Sequence, residues 1–106
     1  MTIKNLTPHT IVIVNEAGDV VREFTSEGLA RVSSKEVITS MEDGIPISET
    51  TYGEVEGLPA EAEDTLLIVS RLVLSRCPDR KDLRVPGMQV RDAEGRVVGC
   101  KTLARN

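Results

Sequence analysis

Residues 65–83, TLLIVSRLVLSRCPDRKDL, decide which fold this chain can make. Leu66, Leu67, Ile68 and Val69 form an apolar run without polar alternation, which predicts a strand buried on both faces. Ser70 is placed as a helix N-cap, and a short helix is expected to run from it to Cys77, where Pro78 stops it. Val69, Leu72, Val73 and Cys77 fall at i, i+3, i+4 and i+8, so they are expected to share the buried face. Arg71 lies off that face and Arg76 at its edge.

Upstream, the pattern is that of strands. Residues 10–14, TIVIV, and residues 20–25 flank the turn Asn15-Glu16-Ala17-Gly18-Asp19 and predict a β-hairpin. Residues 3–6 are a candidate short strand, with Thr7-Pro8-His9 as a turn or bulge. Residues 29–39 read as a strand that Ser33-Ser34-Lys35 interrupts with a bulge or a second turn. Residues 40–44 read as a polar loop, and residues 45–55 as β-rich, with Pro46 confining its first part to a sheet edge. Residues 60–64 read as an acidic loop or one helical turn.

Downstream, residues 79–83 read as a charged turn and Pro86-Gly87 as a tight turn. A second hairpin follows, residues 88–91 and 96–100 around Asp92-Ala93-Glu94-Gly95. Both hairpins place a Gly and one charged residue before a Val pair, at Val20-Val21 and Val97-Val98. Strands dominate and never alternate with long helices. The predicted class is α+β: one domain over residues 1–106, a mainly antiparallel sheet or partial barrel with one or two short helices.

Composition narrows the functional classes. With Phe24 and Tyr52 as the only aromatics, the core must be built from Val, Ile and Leu. No apolar run is long enough for a membrane span and no signal segment opens the chain, so a cytoplasmic protein without membrane contact is expected. Cys77 and Cys100 lack the spacing of a zinc or redox site and are expected to be small buried hydrophobes. The net charge of −4 hides a split. Residues 1–64 hold 13 acidic against 4 basic side chains; residues 65–106 hold 4 acidic against 9 basic. Pairing between the halves is the plain expectation. A patch for an anionic ligand, or contact between subunits, is the alternative.

No catalytic constellation emerges. His9 is the only histidine and sits in a turn, where a structural role is expected. Ser70 occupies a strand-to-helix position, but Ile68-Val69-Ser70-Arg71-Leu72 lacks the flanking glycines of a nucleophile elbow. There is no zinc-ligand spacing, Walker loop or GxGxxG, so no metal or cofactor is expected. Ser70, Arg71, Arg76, Arg80, Lys81 and Arg84 form the one candidate binding cluster, suited to a small anionic metabolite or nucleotide. Nucleic acid is not expected as a partner, because the chain is acidic and almost without stacking aromatics.

Asn5-Leu6-Thr7-Pro8-His9, Ile68-Val69-Ser70, Arg80-Lys81-Asp82-Leu83 and Gly95-Arg96-Val97-Val98-Gly99-Cys100 resemble a group of small uncharacterised proteins of bacteria, mobile elements and phages. The resemblance covers most of the chain. It implies a single cytosolic domain in a phage or host-interaction setting, and brings no activity or site residue. The expectation is a non-enzymatic protein acting by self-association, as a homodimer or larger, or by binding another protein. The alternative is the anionic-ligand binder.

Overall fold

Leu67, Ile68 and Val69 are at most 2% exposed, as an unbroken apolar run requires. In a computed structural model describing residues 1–106, the run ends an interior strand among eight strands and one helix. In chain order these are β1 (Thr2–Asn5), β2 (Ile11–Val14), β3 (Val20–Phe24), β4 (Arg31–Glu42), β5 (Ile45–Glu56), β6 (Thr65–Ile68), α1 (Arg71–Arg76), β7 (Leu83–Arg91) and β8 (Val97–Ala104). More than half of the residues lie in strands and only six in the helix, so the fold is mostly β rather than a balanced α+β.

Six strands form one sheet in the order β1-β6-β7-β8-β2-β3. Both hairpins are antiparallel, β2 with β3 and β7 with β8. Short parallel pairings join β1 to β6, β6 to β7, and β2 to β8 at Ile13 and Cys100. The sheet curls until its outer strands meet. Asn5 bridges to Ser26 just beyond β3, and the Asn5 carbonyl accepts from Glu27 N–H at 2.8 Å. Leu6, Ala30, Leu67, Val69, Val73, Leu74, Leu83 and Val85 fill the core.

The two hairpin turns share one hydrogen-bond pattern. Asn15 and Asp92 each pair their N–H with the carbonyl four residues on and accept from the glycine three residues on. Each also accepts two further backbone N–H groups on its side-chain Oδ1, an Asx arrangement.

Strands β4 and β5 form a separate ribbon, and here the sequence reading needs correction. Residues 40–44 are not a loop. The strands run to a two-residue Asp43-Gly44 turn with φ of 50° and 78°, the left-handed pair that tight hairpins favour. The register shifts between Val32 and Ser34, where the interruption was expected, and again between Ile38 and Ser40. The ribbon projects as an arm. The radius of gyration is 17.0 Å, against about 13 Å for a compact chain of this length.

Two other expectations fail for local reasons. Pro86-Gly87 lies inside β7, paired with Leu103 and Thr102. The β6 pairing ends at Arg84, so Pro86 has no ladder to serve on that side and its missing N–H costs nothing there. Leu72 is 39% exposed and does not extend the core. Val69 ends the strand segment rather than beginning the helix, so the inward face is Val73, Leu74 and Cys77.

Truncating Ile68 or Val73 to Ala should therefore cost about 2–4 kcal/mol in urea unfolding, whereas Leu72→Ala should cost under about 1 kcal/mol. Equal losses at Leu72 and Val73 would contradict this helix orientation.

Candidate functional site

Asn5 anchors the loop that leads to the candidate groove. Its side chain is fully buried, and both ends of the amide are satisfied. Nδ2 donates to the carbonyls of His9 at 2.6 Å and Phe24 at 2.8 Å. Oδ1 accepts from Thr7 N–H at 2.9 Å and lies 2.7 Å from the Thr7 hydroxyl. That hydroxyl is also 3.0 Å from the His9 carbonyl, so its single proton serves one of the two acceptors. The loop from β1 to β2 is thereby clipped to the end of β3. His9 takes part through its backbone, and its ring is left exposed.

The loop forms one wall of a groove of about 590 Å³. The groove is lined by residues of β2 and β8, which pair only at Ile13 and Cys100, and by Val69, Ser70 and Arg71. Apolar side chains, among them Ile11, Val12, Val97 and Val98, share it with His9, Thr10, Ser70, Arg71 and Gln89. Ser70 acts as the expected N-cap, its Oγ accepting from Val73 N–H at 3.3 Å. No hydrogen bond joins Ser70 to His9, so the pair is not set up as nucleophile and base. Cys100 lines the groove but is buried, and desolvation raises its thiol pKa, which disfavours the reactive thiolate. Cys77 is half-buried beside the core; both cysteines are free thiols.

The six candidate ligand residues do not converge. Ser70 and Arg71 line the groove. Arg76 instead stacks over Tyr52 at the base of the arm, 5.0 Å from the ring centre. Arg80, Lys81 and Arg84 sit in a smaller hollow with Arg105. Of these, Arg80 is already engaged. Its Nε and one terminal nitrogen grip the Asp82 carboxylate at 2.9 and 2.8 Å, and the same terminal nitrogen donates to the Pro59 carbonyl at 2.8 Å. Glu61 adds an ion pair at 3.3 Å. Arg84 spans the carbonyls of Lys81 and Leu83. Residues 79–83 are therefore a charged turn, as expected, locked at Arg80 and Asp82 while Asp79 and Lys81 stay exposed.

The expected pairing between the charged halves is slight. Only Arg80–Glu61 and Lys101–Glu16 join them; the other four of six ion pairs lie within one half. Sequence reasoning also missed Asn5. An Asx residue two positions before a Thr-Pro was the available signal.

No protein-family model, curated protein or solved structure matches the chain. The candidate site therefore rests on its own geometry.

Asn5→Ala should destabilise the protein by about 2–4 kcal/mol in urea, because two carbonyls and the Thr7 groups lose their buried partner. Asn5→Asp should be worse at neutral pH, since a carboxylate there would face the His9 and Phe24 carbonyls without a proton to offer. The Asp82 turn predicts a pH effect. The hydrogen bond from Arg80 holds the Asp82 pKa below its ordinary value, against an opposing desolvation cost. A lowered folded-state pKa means stability that is present above the carboxylate range and lost as pH falls through it, below about pH 4. Asp82→Asn should lower the melting temperature at pH 7 and flatten its fall on acidification. An acid limb as steep as the wild type's would assign that loss to other carboxylates.

Proposed function

We propose that the chain is a small non-enzymatic cytosolic protein that works by binding, first of all to a second copy of itself. The observation that carries this reading is the arm. Ile38, Met41 and Ile45 on it are 65%, 62% and 61% exposed, and Val37 and Tyr52 are exposed as well. A two-stranded ribbon is marginal in water without a third layer, and this one leaves apolar side chains on both faces uncovered. A protein partner of another kind would use the same surface, and the sequence resemblance favours a phage or host-interaction setting. No helix is long and apolar enough to cross a membrane.

The groove supports a second reading, a binder of a small anionic metabolite at His9, Ser70 and Arg71. It has the size for such a ligand and one unpaired guanidinium. This shifts the alternative site away from Arg76, Arg80, Lys81 and Arg84, whose side chains lie elsewhere.

Light scattering at micromolar concentration should return at least twice the 11.6 kDa chain mass. A mass of one chain, with melting raised by nucleoside phosphates, would favour the groove reading instead.

A further inference from the structure

The arm and a hollow on the body carry opposite, unpaired charge. Residues 31–56 hold six acidic side chains against Arg31 and Lys35. Of those six only Glu56 makes an ion pair, with Arg31 at the base of the arm. Glu42 and Asp43, at the tip, make none. Lys81, Arg84 and Arg105 line one hollow on the body, and no carboxylate pairs with any of them. Within one chain the tip is not paired with the hollow: β4 and β5 form a separate ribbon, and the molecule is 52 Å in its longest dimension.

The register of the ribbon sorts its side chains. Ile38 and Ser48, Met41 and Pro46, and Ser34 and Tyr52 are opposed pairs. With the bulge after Ile38, these pairs share one face. At its base that face meets Arg76, which stacks over Tyr52, and exposed Leu72 lies one helical turn before Arg76. A strip of apolar side chains, interrupted by Glu36 and Thr50 between Tyr52 and Ile38, thus runs from α1 along the arm.

We propose that two copies cross arms. The strip bearing Ile38, Met41 and Tyr52 packs against the same strip of the second copy, and each acidic tip, Glu42 and Asp43, docks on Lys81, Arg84 and Arg105 of that copy. The inference rests on the self-association reading and adds the surface. A second copy fits because it supplies both requirements at once. It brings an identical apolar strip, and a basic hollow for the acidic tip. Arms meeting without that hollow would bring two acidic ribbons together and repel. The arrangement is isologous: each copy gives one tip and receives one, so the contact closes at two chains.

Charge exchange tests this directly. One variant carries Glu42→Lys and Asp43→Asn; asparagine suits the left-handed backbone at that turn. The other carries Lys81→Glu and Arg105→Glu and leaves Arg84, which holds backbone carbonyls, in place. Each variant alone should dissociate at least about tenfold more readily by sedimentation or light scattering. Their equimolar mixture should re-form a dimer, because every tip then meets a hollow of opposite sign. Ile38→Ser with Met41→Ser should be monomeric with a melting temperature close to that of the wild type. A monomeric wild type would sink self-association itself. A dimeric wild type whose charge variants dimerise equally well, or whose mixture fails to recover, would sink only the crossed arms. Persistence of the dimer in the Ile38 and Met41 variant would do the same.

Discussion

The Asn5 amide is the contact on which the curled sheet depends. It is buried where the first strand ends, beside the segment that follows β3, and it holds both the loop ahead and the strand alongside. Two donors and two acceptor positions on one short side chain are needed there. Asp has no donor when ionised, Leu has neither, and Gln is a methylene too long for the same reach. No buried side-chain nitrogen or oxygen in the protein lacks a partner. In an apolar core without Trp and with a single Phe, such polar closure fixes geometry that large rings would otherwise hold.

Much of this fold was legible in the sequence. Both hairpins follow from Gly-bearing turns between β-branched runs, the interior strand from an apolar run, and the cap from Ser70. What stayed hidden depended on partners far away in sequence. Parallel pairing of β1, β6 and β7 leaves no mark in local alternation. Pro86 looked like a turn because Pro-Gly usually is one; only the end of the β6 ladder makes it tolerable inside a strand. Leu72 falls inward only when the helical period starts at Val69, and Val69 belongs to the strand side of the Ser70 cap. Asp43-Gly44 is a local hairpin signal, but Pro46 two residues on can only sit at a sheet edge, and a two-stranded ribbon consists of edges alone.

The candidate site was legible only in part. A list of cations in one stretch says nothing about what each already holds. Arg80 is held by a carboxylate two residues on, Arg76 lies on an aromatic face, and only Arg71 reaches the groove. The charge split was visible from composition, yet its meaning was not. The ion pairs stay mostly within each half, so the opposing fields are left standing on the folded surface.

The strand order also sets a timetable for synthesis. β1 waits for β6 before it has a neighbour along its length, and β2 waits for β8, the last of the eight strands in sequence order, for its second neighbour. Until then the emerging chain can complete only its local ribbons, β2 with β3 and β4 with β5. The arm is therefore finished before the body it belongs to. Its exposed apolar side chains then stand in water ahead of any completed core, with acidic side chains along the same ribbon, the kind of flanking charge that disfavours aggregation of a bare strand.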